Sequence, residues 1–349
     1  MKRKELTIQE VAEKAGVSIA TVSRIINNKG SVKKQTRDHV IEIMEQTNYH
    51  PRSVSALADV RSHNILVCVP DFCNPFNSPV IDGIQKAAHN NNYDVLFLQS
   101  KDYYTQPSDF TEVLKETSVA GIIILSSVTT SDEKFFNKLS FKCPIVMCSE
   151  YDESYGISYV SINDVKASKE AVEYLISTGC RKIGLMNSLR KFKYARHRER
   201  GYKQALNENE LDYDDMWIAH ISSVNYSLSY AAALNILQQK NRPDAMFCCS
   251  DVYGIAVVNA AKTLGLYVPE DLSVIGFDNV DIAKMSDPPL TTVSQPAMDL
   301  GLQACDLLIE KIQDSNIPDK QIILNTELVV RGTTKLSPLK RQAMEPREV

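Results

Sequence analysis

Apolar residues recur with two different periods along this chain, and the change of period divides it. From residue 8 to residue 26 the spacing is helical. Ile8, Val11, Ala12 and Ala15 fall at i, i+3, i+4 and i+7, one face of a first helix. Thr7 with Glu10 three residues on forms a capping box. Gly16 supplies a tight turn, and Val17 plugs the angle behind it. Ser18 caps a second helix that points Val22, Ile25 and Ile26 inward. A third amphipathic helix carries Val40, Ile43 and Met44 and closes at Asn48-Tyr49-His50-Pro51. Two short helices joined by a Gly turn are a helix-turn-helix signature. A helical hairpin of an ordinary domain is the plain alternative.

After Asn64 short apolar runs alternate with helical stretches. Strands are expected at 65–69, 95–98, 121–125, 145–147, 160–162, 183–186, 218–221, 245–249 and 273–277. Helices are expected at 78–90, 107–116, 165–177, 199–209, 228–239 and 252–264. That alternation argues parallel sheets with helices on both faces. Two such series suggest two doubly wound lobes. Residues 333–349 lose periodicity and gain Pro and charge, so a frayed tail is expected there.

The helix-turn-helix geometry sends the first turn of the second helix into the DNA major groove. Ile19, Ala20 and Arg24 face outward there. Arg24 can make the bidentate guanine contact, and Ile19 and Ala20 can read only by apolar contact, for example with a thymine methyl. Thr21, Ser23 and Asn27 are small polar groups suited to phosphate oxygens.

Charge supports this reading. Eleven Lys and Arg against seven Asp and Glu leave residues 1–62 at +4, and the whole chain is at −4, so the remainder carries −8. A basic head on an acidic body suits a phosphate-binding module joined to a separate regulatory unit. At 349 residues two or three domains are expected. No apolar run reaches membrane-spanning length and none follows the basic start as in a secretory signal, so a cytoplasmic protein without membrane contact is expected. The eight cysteines form no Cys-x-x-Cys and have no His at zinc-ligand spacing. No metal, cofactor or disulfide is expected.

Thr7-Ile8, Val11-Ala12, Gly16-Val17-Ser18, Thr21-Val22-Ser23-Arg24, Asn27, Val32, Thr36-Arg37, Val40 and Tyr49-x-Pro51 together resemble the head of the lactose-repressor and galactose-repressor (LacI/GalR) family of bacterial transcription regulators. The likeness continues more loosely to about Gly332. It implies an all-α head over 1–51, a hinge over 52–63 and a periplasmic-binding-protein-like body over 64–332. The first lobe would hold about 64–161 and 295–323, and the second about 162–291 and 326–332. The chain would cross between lobes near 161–164, 291–295 and 323–327, and a helix over 300–312 would belong to the first. The resemblance extends the DNA-facing set to Thr7, Ser18 and Tyr49, and to Leu57 as a minor-groove wedge from a hinge helix. The hinge departs from the family pattern: Arg52 stands in place of Asn, Ser55-Ala56 replaces Ala-Arg, and Leu57 comes one place early. A plain solvated linker therefore competes with a hinge helix.

In open parallel sheets ligands bind outside the carboxyl ends of strands. Residues 71–77 follow the first strand and resemble the family's effector loop, which implicates Asn74, Phe76 and Asn77. Ser126 and Ser127 follow the third strand with hydroxyls for a sugar or phosphate oxygen. Arg198 in Arg198-x-x-Gly201-Tyr202 matches the family's effector-contacting arginine. Around it stand Arg190, Lys191, Lys193, Arg196, His197 and Arg200, either a solvated basic face or the counter-charge for an anionic effector. Asp251 and Asp278 match family positions where the carboxylate reaches the cleft, although Asp251 fits a helix N-cap equally well. Tyr253 would add an apolar wall, and Trp217 suits the core.

The expected protein is a homodimeric repressor of a near-palindromic operator, controlled by a carbohydrate or sugar acid between the lobes. The alternative keeps the DNA role and substitutes a phosphorylated carrier protein as co-effector. An enzyme is not expected: no Gly-x-Gly-x-x-Gly, phosphate-binding loop, His-Glu-x-x-His or Gly-x-Ser-x-Gly occurs, so no catalytic residue is assigned. A transporter's solute-binding protein is opposed by the basic head.

Overall fold

The structure, a computed structural model, describes residues 8–26, 33, 36, 39, 40, 42–44, 63–99, 118–125, 143–314 and 316–335, with the backbone alone for Ile8, Ala20, Ser23, Arg24, Ile26 and Ser154. The chain divides into two compact units, Met1–His63 and Asn64–Val349.

In the first unit α1 (Ile8–Lys14) and α2 (Ile19–Ile26) meet across the turn at Gly16. Gly16 has φ +64°, a conformation that glycine adopts without the Cβ penalty. The Thr21 amide donates to Ser18 Oγ at 3.1 Å, so Ser18 caps α2 as its position predicts. Val11, Ala12, Ala15, Val22, Ile25 and Val40 form the core, with Val17, Ile43 and Met44 packed against it. Ile19 points to solvent.

The second unit holds two six-stranded sheets. The first comprises β1 (Asn64–Val69), β2 (Asp94–Gln99), β3 (Gly121–Ile124), β4 (Ile145–Cys148), β5 (Tyr159–Ile162) and β11 (Gln321–Leu324), in the order β11-β5-β4-β3-β1-β2. The second comprises β6 (Ile183–Ser188), β7 (Ile218–Ile221), β8 (Ala245–Cys248), β9 (Ser273–Asp278), β10 (Thr291–Ser294) and β12 (Glu327–Val329), in the order β12-β10-β9-β8-β6-β7. Inner strands such as β3, β4 and β8 are buried throughout, which explains their uninterrupted apolar runs. All pairings are parallel except β12 on β10, which is antiparallel.

The chain leaves the first sheet after β5, returns from β10 to β11, and crosses again from β11 to β12. The described helices are α3 (Asn77–Asn90), α4 (Asp164–Ser177), α5 (Lys193–Glu208), α6 (Tyr226–Leu237), α7 (Asp251–Thr263), α8 (Asp281–Met285) and α9 (Ala297–Gln313). The helix expected at 107–116 lies outside the described residues. α9 packs on α3 of the first lobe at backbone distance: a Cβ at Gly301 would run into the carbonyl oxygen of Val80. Gly301→Val is therefore expected to destabilise the protein by about 1–3 kcal/mol through overpacking, read as a lower urea midpoint at unchanged slope.

Two expectations are corrected. Helix α5 starts at Lys193, six residues before the expected Glu199, because its first turns bury charged side chains and so lack an apolar stripe. The tail does not begin at 333. Thr333 Oγ1 donates to the Val274 carbonyl at 2.7 Å and accepts from the Thr291 amide at 2.8 Å, and Thr334 Oγ1 lies 2.9 Å from Thr291 Oγ1. Both threonines are buried against the second sheet, a pairing that an absence of periodicity cannot reveal.

Candidate functional site

The carboxyl ends of strands from both sheets converge on one buried charged cluster. Glu150 follows β4 and Asp164 follows β5 in the first sheet; Asp278 ends β9 and Gln295 follows β10 in the second. Lys193 and Arg198 come from the first turns of α5. Arg198 is 5% exposed and Lys193 6%, so these cations lie inside the protein.

Arg198 is held on every side. Its Nε donates to Asp164 Oδ1 at 2.9 Å, and its Nη1 donates to the Cys249 carbonyl at 2.9 Å. Nη1 also lies 3.8 Å from Asp278 Oδ1. The guanidinium sits 3.6 Å from the Phe277 ring centroid, a cation–π contact. Burial works against its charge, but Asp164 and Asp278 outweigh burial, and its pKa is raised.

Asp278 occupies φ +110°, a region an L-residue enters only when its surroundings enforce it. Gln295 Nε2 donates to Asp278 Oδ1 at 2.7 Å. The next residue, Asn279, is tied to Ser294 Oγ at 3.0 Å and to Arg331 at 2.6 Å. Burial pushes the Asp278 carboxyl up to about 6, and Arg198 and Gln295 pull it back.

Asp251 has a different task from the one its sequence position suggests. It is fully buried, Oδ2 accepts from the Val280 amide at 2.8 Å, and Oδ1 accepts from Thr292 Oγ1 at 2.5 Å. Both oxygens thus fasten the loop after β9, and Ser250 is the N-cap of α7. Burial, with Asp278 nearby, raises its pKa well above the carboxylate range. Asp251 thus braces the loop behind the site and is not the N-cap of α7. Tyr253 is also buried, and its hydroxyl pairs with Ser188 Oγ at 2.9 Å; Tyr194 reaches the same oxygen at 2.8 Å.

In the first-lobe loop, Asn77 Nδ2 donates to the Asp71 carbonyl at 2.7 Å, and Asn74 Oδ1 accepts from the Phe76 amide at 3.1 Å. Both amides shape the loop, and Phe76 is buried. Phe72, which sequence reasoning passed over, is the exposed aromatic here and meets Phe97 edge-on. Thr7, Asn27, Tyr49, Leu57, Ser126 and Ser127 lie outside the described residues, as do the side chains of Ala20, Ser23 and Arg24. Trp217 is buried and donates to the Asn241 carbonyl, as a core residue should.

Glu150, Asp164, Tyr194 and Gln295 were not legible as site residues, and Lys193 was legible only as one of the basic group around Arg198. The carboxyl-end rule applied to β4, β5 and β10 reaches three of them. Lys193 carried no signal apart from its neighbours, which do face outward: Arg190 is exposed and pairs with Glu199, and Arg196 donates to the carbonyls of Arg190 and Lys191. Among the described residues no cluster of His, Cys, Asp or Glu has metal-binding geometry, and no helix is long and apolar enough to cross a membrane.

A helix-turn-helix unit in one chain with a two-lobed body, charged where the two sheets meet, defines a DNA-binding regulator of the ligand-responsive class. Residues 7–52 match the model of the bacterial regulatory proteins of the lacI family, and residues 172–334 match the periplasmic binding protein-like domain. The chain is 33% identical over 333 residues to the transcriptional repressor CytR of Escherichia coli K12, covering 95% of this chain and 97% of that one. It is 33% identical over 337 residues to the transcriptional regulator DegA of Bacillus subtilis 168, covering 95% and 98%. Among solved structures, a transcriptional regulator CelR–cellobiose complex aligns at TM-score 0.71 and 26% identity, over 94% of this chain and 100% of that one. A protein from Actinobacillus succinogenes aligns at TM-score 0.73 and 33% identity, over 78% and 99%. The chain belongs to the LacI family of bacterial transcription regulators. It is a DNA-binding transcriptional repressor, and its relatives are regulators, not enzymes.

Proposed function

We propose that this repressor acts in the cytoplasm as a homodimer on a near-palindromic operator, and that a neutral carbohydrate bound between the lobes controls its grip on DNA. The observation that carries the effector site is the pair of buried oxygens in the cluster that lack a hydrogen-bond partner, Glu150 Oε2 and Gln295 Oε1, beside the ion-paired ammonium of Lys193. Leaving such groups unmatched is costly, and a polyhydroxyl ligand, whose OH groups both donate and accept, can satisfy both oxygens and also accept from Lys193. Arg198, Asp278, Lys193, Glu150 and Tyr194 are the proposed contact residues, with Phe76 and Phe72 as apolar wall.

Charge supports one of the two expected effector classes over the other. Two buried cations already face the carboxyls of Glu150, Asp164 and Asp278. A sugar acid would add a further negative charge to that balance, whereas a neutral sugar would not. The CelR complex holds cellobiose, a neutral sugar, which supports the same class.

A thermal-shift screen of the full chain against neutral sugars, sugar acids, sugar phosphates and nucleobases tests this. A neutral sugar at a hundred times its Kd should add about 2.7 kcal/mol to stability and raise Tm by several degrees. Shifts confined to anionic sugars would overturn the neutral assignment. A silent panel with a shift from a phosphorylated carrier protein would replace the carbohydrate altogether.

A further inference from the structure

Two residues of the second lobe meet two of the first across the cleft. Lys193 and Tyr194 open α5, and Glu150 and Tyr151 follow β4. The Tyr194 amide belongs to the first turn of a helix, where N–H groups have no intrahelical acceptor; it donates to Glu150 Oε1 at 3.0 Å. Lys193 Nζ lies 3.2 Å from Asp164 Oδ2 and 4.0 Å from Glu150 Oε1. It also sits 3.9 Å from the centroid of the Tyr151 ring, which stacks on Tyr159 with centroids 3.8 Å apart and planes 3° from parallel. The cation of one lobe therefore rests on a fixed aromatic pair and between two carboxyls that follow strands of the other. The loop before α5 is braced in turn: Arg190 is clamped by Glu199, which also takes Lys203 at 3.0 Å and His220 at 3.1 Å.

We infer that Glu150, Lys193 and the Tyr194 amide form a clasp across the cleft that draws the lobes together without an effector and that answers to pH through Glu150. This rests on the interlobe cleft being the regulatory site. The effector then acts on a cleft whose closure is already poised by pH.

The sign follows from burial. In the closed cleft the Glu150 carboxyl is pushed from 4.5 up to about 7, by burial first; Lys193 pulls it back, Asp164 pushes it further up, and the Tyr194 amide and Arg198 pull it back. With the lobes apart Glu150 is hydrated and its pKa returns toward the ordinary carboxylate value. Closing therefore binds a proton, and the clasp is favoured on the acid side of neutrality and weakened as Glu150 ionises. Of the other groups around it, Tyr151 and Tyr159 are pushed up, away from this window, and His197, down at about 4, stays neutral through it. Asp278, at about 6, is the group that can imitate the effect.

Residue-resolved hydrogen exchange on the full chain, without ligand, reads the clasp directly at the Tyr194 amide. After correction for the intrinsic rate, its protection should be about tenfold higher at about pH 6 than at about pH 8. Glu150→Gln keeps an acceptor for the amide but no titrating proton, so protection should be high and equal at both values. Lys193→Met removes a charge that lowers the Glu150 pKa, so the transition should move to higher pH, a shift that a merely structural role would not give. Equal protection of wild type at both values overturns the clasp. So does a pH dependence that survives in Glu150→Gln, which would assign it to Asp278. Neither outcome touches the sugar screen, which stands or falls separately.

Discussion

Arg198→Ala is expected to lower the stability of the protein by about 3–5 kcal/mol, the cost of removing one partner from a buried ion pair. The loss is large because the guanidinium serves several groups at once. Asp164 Oδ1 loses its donor at 2.9 Å, the Cys249 carbonyl loses another at 2.9 Å, and the Phe277 ring loses its cation. Asp278, already pushed up to about 6 with Arg198 pulling against burial, loses that pull and rises further. Urea unfolding should show the loss as a lower midpoint. A change below about 1 kcal/mol would mean that the cluster opens to water in solution. Arg198→Ala combined with Asp164→Ala should cost less than the sum of the two single changes, because each removes the charge that strands the other.

Asp278→Asn separates ligand binding from folding. Asn tolerates positive φ better than most residues, and its side-chain carbonyl can still accept from Gln295. The protein should fold near normally, while the thermal shift given by a neutral sugar falls by tenfold or more in apparent affinity. If the shift persists unchanged in this variant, the effector binds elsewhere.

These two residues were singled out in the sequence because each matches a position of the family's pattern: Arg198 in Arg198-x-x-Gly201-Tyr202, and Asp278 at the end of an apolar strand. The two-lobed architecture was legible for a similar reason: strands buried on both faces read as unbroken apolar runs such as Ile122-Ile123-Ile124, and alternation with helices fixes parallel pairing. What the sequence hid depends on long-range contact. Lys193 looks like its exposed neighbours Arg190 and Arg196 until the fold places Asp164 and Tyr151 around it. Asp251 and Asp278 both stand near the carboxyl ends of strands, yet Asp278 faces the cluster and Asp251 turns back to Val280 and Thr292. The helix that begins at Asp251 sets it apart along the chain, but which way each carboxylate turns is set by the loop that each must close. The docking of Thr333 and Thr334 is likewise a contact with strands some forty to sixty residues away.

Arg24→Ala carries the largest expected effect on DNA binding. Among the described side chains of α2 few can discriminate bases. Ile19 is 45% exposed and apolar, and Thr21 Oγ1 lies 2.9 Å from the capping Ser18 Oγ. Thr21 and Ser18 therefore fix the helix start and leave base reading to other positions. Arg24 stands one turn on in the sequence, and an arginine is the residue type whose cationic fork suits guanine recognition. With an operator selected from a random duplex library, Arg24→Ala should cost about 1–3 kcal/mol at one guanine of each half-site and relax selectivity there. Both half-sites should respond together if two heads read them about one helical turn apart. Arg24 would instead be a phosphate contact if affinity fell equally on every sequence and the salt dependence dropped by about one unit. The two outcomes are separable on the same titrations, since only a base contact changes which sequence is preferred.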